Sequence, residues 1–310
     1  MISYLMGRNE AILAAIGLLI AFAGTIVFTA IFCDRLPKDG GRAFAHDGKL
    51  SAGKPRGAGL IFVVVFTIAA FLFVPLSTET IIYLILVAAE MITGYMDDAS
   101  EKPWGEWKKG ILDLVIAIIV AVTYLNFNSN EIYLAFFHKT VAIPELVFGI
   151  LIVILVWASI NVTNCADGVD GLSGTLALIT LGTFYILDKQ LSAQGDFSFV
   201  ILVFMSCILG YLWYNATPSK LMMGDAGSRA MGIFISIAAL KRGKFLDNLI
   251  SVVSTCGIAV PSFVICTLLL YFFGVRLQIL PTMGLTSWKH YVMPVMALAF
   301  YPTAYIMRLM

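Results

Sequence analysis

Charge is what this sequence lacks. Of its 310 residues, 13% are Asp, Glu, Lys or Arg, and the net charge is only +1. Soluble domains carry about 25% charged residues, so a chain this poor in charge could not cover a soluble core. The same scarcity leaves no basic stripe, which excludes nucleic acid as a partner. Disorder and coiled coil fail as well, because 60% of the residues are hydrophobic. Cysteine is scarce too. Cys33, Cys165, Cys207, Cys256 and Cys266 form no C-x-x-C pair, which excludes a disulfide scaffold and reads as small buried apolar side chains. His46, His138 and His290 are scattered, a pattern of bystanders rather than ligands. The N-terminus has no basic run before its apolar stretch, only Arg8 followed by Glu10, so no cleaved signal peptide is expected.

Long apolar runs are what the sequence has. A helix needs about 20 apolar residues to cross a bilayer, with a lower limit near 17. Candidates fall at 11–32, 58–76, 79–96, 111–126, 146–162, 172–188, 198–214, 229–240, 248–274 and 292–309. The runs are continuously apolar instead of alternating, which predicts helices and not barrel strands. The fold class expected is all-α, a polytopic membrane protein with about ten transmembrane helices. With the N-terminus outside, the cytoplasmic loops before residue 240 hold Arg35, Lys38, Arg42, Lys49, Lys54, Arg56, Lys102, Lys108, Lys109, Lys220 and Arg229. The outside segments of the same stretch hold only Arg8, Lys139 and Lys189. That asymmetry sets the orientation. The next loop breaks it by putting Lys241, Arg242 and Lys244 outside.

The informative residues are carboxylates at the cytoplasmic ends of spans. Asp97 and Asp98 end the third in GYMDD, Asp167 and Asp170 follow the fifth in NVTNCADGVDGLSG, and Asp225 follows the seventh in LMMGDAGS. Charge near membrane depth is costly and is retained for function. Asp167 and Asp170 are three apart, one helical face, and Asn161 and Asn164 extend that face by the same step. Gly168, Gly171 and Gly174 leave room for a bulky anion. Five aspartates in one cavity would repel without a cation. Hard oxygen donors, with no His or Cys cluster beside them, point to magnesium instead of zinc. Lys49, Lys54, Arg56, Lys108 and Lys109 suit phosphate oxygens. Together these features predict phosphoryl chemistry on a lipid, with an active site on the cytoplasmic side.

The stretches GKLSAGKPRGAG, GYMDD, NVTNCADGVDGLSG and YNATPSKLMMGDAGSRAMG, in this order, resemble the polyprenyl-phosphate N-acetylhexosamine-1-phosphate transferases. Within that superfamily they are most similar to the bacterial phospho-N-acetylmuramoyl-pentapeptide transferases. The resemblance covers residues 11–240. It implies a multi-pass enzyme of the bacterial inner membrane that needs Mg2+. Such an enzyme moves a phosphosugar from UDP-N-acetylmuramoyl-pentapeptide to undecaprenyl phosphate, releasing UMP and giving lipid I for peptidoglycan synthesis. A homodimer is compatible with it. By position, Asp98 is the implied base or nucleophile, with Asp97 beside it, and Asp225 completes the catalytic set. Magnesium is implied at Asp225, Asp167 and Asp98. Lys49, Lys109, Asn161, Asn164, Asp167, Asp170 and Gly224 are implied to bind substrate. Because the lipid phosphate is already ionised, direct displacement is preferred over a covalent aspartyl intermediate. The family's Thr-Pro-Thr-Met-Gly-Gly loop reads KPRGAG here.

From residue 237 the similarity changes. AALKRGKFLDNLISVVSTCGIAVPSFVICTLLLYFFGV and the tail to Met310 resemble an oligopeptide ABC-transporter permease, in which the Lys-Arg-Gly-Lys loop would be cytoplasmic. The last loop carries one histidine, His290, where the transferases have a His-rich segment. The organisation expected is a transferase-like membrane domain at 1–240 and two divergent spans at 241–310, a hybrid joined around Ala238–Lys241. Two other functions stay open: a UDP-N-acetylglucosamine transferase of the same superfamily, and a non-enzymatic permease subunit.

Overall fold

The structure, a computed structural model, describes residues 10–40, 52–100, 102–134, 139–191, 197–241, 267–277, 279–282 and 289–297. The chain divides into two compact units, Met1–Phe245 and Leu246–Met310. In the first, the described helices are α1 (Glu10–Phe32), α2 (Gly59–Phe73), α3 (Thr78–Asp98), α4 (Glu106–Phe127), α5 (Glu145–Ala166), α6 (Leu172–Leu191), α7 (Phe197–Asn215) and α8 (Gly224–Lys241). Among the described residues, five helical stretches are long and apolar enough to cross a membrane: Ile12–Arg35, Thr78–Asp98, Glu106–Phe127, Glu145–Ala166 and Phe197–Asn215. Gly59–Phe73, Leu172–Ile186 and Thr267–Arg276 are shorter apolar helices. Most of the spans expected at 248–274 and 292–309 lies outside the described residues. Between α4 and α5 lies an element the sequence reading omitted, an antiparallel ribbon of β1 (Glu131–Leu134) and β2 (Lys139–Ala142), with Glu131 opposite Ala142. Described parts of the second unit include a π-helical turn at Leu270–Arg276 and a helical stretch at 289–297 that holds His290.

Local chemistry sets the ends of these helices. Ser77 precedes α3 in an extended conformation, and its hydroxyl accepts from the Thr80 N–H at 3.2 Å. This satisfies one of the donors that a helix start leaves open.

The hub of the first unit is α8. A span was expected from 229, but the helix begins at Gly224, and every residue from Gly224 to Leu240 is buried. Small residues let neighbouring backbones close on it, as they do where helices pack in lipid. A Cβ on Gly94 of α3 would strike the Asp225 backbone, and one on Gly232 would lie 2.6 Å from the Ile160 Cα of α5. Aromatic rings fill the space towards α2 and α7: Phe204 and Phe234 stand 4.1 Å apart between centroids, and Phe66 meets Phe204 edge-on at 4.7 Å.

Polar groups fasten both ends of the antiparallel pair α3 and α8. At one end the Lys241 ammonium is 2.7 Å from Glu79 Oε2 and 3.2 Å from Asn128 Oδ1. The Tyr83 hydroxyl donates to Glu79 Oε1 at 3.0 Å. The 18 residues of α8 span about 27 Å, so Asp225 and the end of α3 lie a bilayer's depth away from Lys241.

Candidate functional site

The site starts from an extended loop. The Arg56 N–H donates to the Pro37 carbonyl at 2.8 Å, and Asp39 N–H donates to the Lys54 carbonyl at 2.9 Å. On its other side the loop pairs with the approach to α8, Met222 N–H donating to the Pro55 carbonyl at 2.8 Å and Ala58 N–H to the Met222 carbonyl at 3.1 Å. Pinned on both sides, the loop delivers the Arg56 side chain to the first turn of α8.

There it meets Asp98, the last residue of α3. The Asp98 carboxylate is buried and accepts from the N–H groups of Asp225, at 3.1 Å, and Ala226, at 3.0 Å. These are open donors of the α8 N-terminus, where the helix dipole also favours negative charge. Arg56 Nε forms an ion pair with Asp98 Oδ1 at 2.8 Å, and its terminal nitrogen lies 3.3 Å from Asp225 Oδ1. Burial works against the guanidinium charge, yet the carboxylates of Asp98, Asp225, Asp39 and Asp97 outweigh it and hold its pKa above the ordinary value.

A second cation mirrors the first. Lys109, in the opening turn of α4, places its ammonium 2.7 Å from Asp97 Oδ2 and 2.9 Å from Asp225 Oδ2. Asp97 Oδ1 accepts from the Trp104 N–H at 2.6 Å. The Trp104 ring in turn lies under Lys108, 3.2 Å from its ammonium. Three carboxylates and two cations therefore alternate across α3, α4, α8 and the 52–58 loop.

Gly224 makes this packing feasible. Its φ is +67°, and a Cβ there would run into the Asp98 carboxylate. Gly224→Ala is therefore expected to cost about 2–4 kcal/mol, combining left-handed strain with a displaced carboxylate cap. Thermal unfolding in detergent checks this, and a variant as stable as the parent would contradict the packing.

The other described residues singled out from sequence make the following contacts. The Ser228 hydroxyl on α8 donates to Asn164 Oδ1 at 2.9 Å. Asn161 donates to the Trp157 carbonyl at 2.8 Å and faces Asp113 Oδ2 at 3.5 Å. Asp167 ends α5 three residues beyond Asn164. Asp170 Oδ2 is 3.4 Å from the Lys54 ammonium. Lys49 lies outside the described residues.

The three-carboxylate metal set of Asp225, Asp167 and Asp98 is not assembled. Among the described residues no group of three or more His, Cys, Asp or Glu side chains is arranged to hold a metal ion. The oxygens of Asp98 are engaged by two N–H groups and Arg56, whereas Asp97 and Asp225 share the Lys109 ammonium. A hard divalent cation still suits this geometry. Asp97 Oδ2 and Asp225 Oδ2 converge on one positive point, the Lys109 ammonium, and Mg2+ commonly uses one or two carboxylates with water and phosphate oxygens.

Sequence reasoning named Arg56 among the cations suited to phosphate but not its pairing with Asp98 and Asp225, and it missed one feature outright by counting Arg229 as a loop charge. Because α8 starts five residues before Arg229, this side chain is interior and only 1% exposed. It pairs with Asp113 and lies 2.8 Å from Glu90 Oε1. Spacing held the clue: Asp113 follows Lys109 by four, and Arg229 follows Asp225 by four, the next turn of the same helix faces.

Apolar helices of membrane-crossing length around a cluster of carboxylates and cations mark a polytopic membrane protein. Comparison agrees with this class. The family profile of Glycosyl transferase family 4 matches residues 80–243. The phospho-N-acetylmuramoyl-pentapeptide-transferase of Treponema pallidum (strain Nichols) is 37% identical over 254 residues, which covers 76% of this chain and 70% of the relative. The proteins of that name from Symbiobacterium thermophilum and Fervidobacterium nodosum are 28% and 30% identical, covering 65% and 64% of this chain and 64% and 62% of their own lengths. The chain belongs to Glycosyl transferase family 4, and it is a phosphosugar transferase. Its C-terminal part, residues 231–310, is also similar to the binding-protein-dependent transport system inner membrane component.

Proposed function

We propose that this protein transfers phospho-N-acetylmuramoyl-pentapeptide from its UDP-linked donor to undecaprenyl phosphate at the cytoplasmic face of a bacterial inner membrane, giving lipid I and UMP. One observation carries the reading. Asp97, Asp98 and Asp225, remote in sequence, meet Arg56 and Lys109 at one end of the helix bundle. The closeness to relatives of that name supports the choice of donor. About ten spans and a homodimer belong to the same proposal.

The reaction exchanges one P–O bond for another. An oxygen of the lipid phosphate bonds to the sugar-linked phosphorus, and the bridging P–O bond to UMP breaks, the oxygen leaving with UMP. Arg56 and Lys109 would face the pyrophosphate and offset its charge. Asp98 positions: with its oxygens committed to the α8 N-terminus and to Arg56, it is poorly placed to attack, which supports direct displacement. Asp97 and Asp225 would hold Mg2+, which supplies Lewis-acid stabilisation of the leaving phosphate. Asn161, Asn164, Asp167 and Asp170 are assigned to the nucleotide side, and Lys49 is assigned to substrate binding. Residues 1–240 form the transferase body, and 241–310 are a divergent appendage joined around Ala238–Lys241.

UMP release tests this reading. The purified chain, given undecaprenyl phosphate and Mg2+, should release UMP from UDP-N-acetylmuramoyl-pentapeptide and none after chelation. Release from UDP-N-acetylglucosamine instead would shift the assignment to the sister activity. The similarity of residues 231–310 to a transport component favours a permease subunit as the second reading, and that reading requires no UMP from either donor.

A further inference from the structure

Three buried side chains, Glu90, Asp113 and Arg229, take no part in the transfer step. One terminal nitrogen of Arg229 pairs with both carboxylates, 2.8 Å from Glu90 Oε1 and in contact with Asp113 Oδ1. As a source of stability the group is poor. Among the described residues, Nε and Nη1 of the same guanidinium are buried without a hydrogen-bond partner. A buried ionic group often stabilises no better than well-packed apolar side chains of the same volume. Charge inside a membrane bundle therefore calls for another reason.

Placement supplies one. Glu90 belongs to α3, Asp113 to α4 and Arg229 to α8, the helices that bring Asp97, Lys109 and Asp225 to the site. Asp113 and Arg229 each lie one helical turn below their partners in the site, and Glu90 lies two turns below Asp97. The three thus form a second layer on the same helix faces, about 6–10 Å deeper. The weak joint is between α4 and α8. Helix α4 packs on α5 and α3 but barely touches α8, so apolar packing does little to fix how far Lys109 stands from Asp225. Two polar links span that distance, Lys109 to Asp225 in the site and Asp113 to Arg229 below it. The upper link has to open when Lys109 turns to a phosphate. The lower one meets no substrate and can stay closed throughout turnover.

We infer that Glu90, Asp113 and Arg229 are positioning residues for the transfer: they hold α3, α4 and α8 in axial register, so that Lys109 keeps its place between Asp97 and Asp225 while the site exchanges partners. The inference rests on the transferase reading above and adds what fixes the geometry of its cations.

The test separates register from stability in two full-length variants. Glu90→Leu, Asp113→Leu, Arg229→Met together remove every charge of the lower layer and leave none unpaired. Asp113→Leu alone cuts only the link to α4 and leaves Arg229 and Glu90 as a neutral pair, so it stays testable if the triple variant does not fold. Each protein in detergent is followed by thermal unfolding, by UMP release, and by mass spectrometry of Lys109 acylation with an amine-reactive ester. Exposed Lys108, the next residue in the chain, is the internal reference. A variant that melts within a few degrees of the parent should still lose about 10²-fold in kcat, the cost of misplacing a catalytic group by about 1 Å. Saturating donor and lipid should not restore it, and Lys109 should be acylated several-fold faster relative to Lys108. A folded variant of either kind with parental kcat and a parental Lys109 to Lys108 ratio would overturn the inference. The acylation ratio needs no turnover: a parent that releases no UMP while its variants free Lys109 keeps the register and removes the transferase reading, and a parent that releases UMP with its folded variants unchanged does the reverse.

Discussion

Replacing Arg229 by methionine is expected to cost about 3–5 kcal/mol, enough to lower the melting temperature of the protein sharply or to prevent its recovery in folded form. Arg229 is 1% exposed, and its guanidinium sits between Asp113 and Glu90, both of which are buried as well. Methionine fills similar space but leaves two carboxylates inside an apolar bundle with no cation. Removing one member of a buried ionic group is costly for that reason, whereas replacing all members by apolar residues is often neutral. The combined variant Glu90→Leu, Asp113→Leu, Arg229→Met should therefore recover much of the stability lost by Arg229→Met alone. Thermal unfolding in detergent decides. An Arg229→Met protein as stable as the parent would mean that the cluster is not buried as described.

Asp225→Asn is expected to act on turnover instead, lowering UMP release by about 10²–10³-fold with the protein still folded. One oxygen of Asp225 faces Arg56 at 3.3 Å and the other faces Lys109 at 2.9 Å. Asparagine keeps the volume and one acceptor but loses the charge through which both cations are held. The N–H of residue 225 still reaches Asp98, so the start of α8 is preserved. UMP release within about twofold of the parent would show that Asp225 plays no part in gripping the phosphates.

The class of the molecule was readable from composition and continuous apolar runs, because a chain so short of charge has few alternatives to the bilayer. The carboxylates were readable too, since charge at the end of an apolar span is costly and calls for a reason. Pairing was not. Arg56 resembles any loop cation until the 52–58 backbone is seen bonded to Pro37 and Met222. Nor does the motif around Asp98 say that this carboxylate would cap α8 and leave Asp97 as Asp225's partner. That arrangement depends on how α3 ends against α8, a relation between segments more than a hundred residues apart. Arg229 misled for a similar reason. A polar stretch before an apolar run suggests a loop, and only the Gly-Asp start of α8 moves the arginine inside.

Metal binding tests the central claim most directly, that separate segments build one cation site for a pyrophosphate. Mn2+, a paramagnetic substitute for Mg2+ with the same preference for oxygen ligands, can be titrated into the full-length protein with UDP-sugar present and followed by electron paramagnetic resonance. The parent should show a single saturable site that disappears in Asp97→Asn and in Asp225→Asn. Saturable binding that survives both substitutions, or no binding by the parent, would contradict the account.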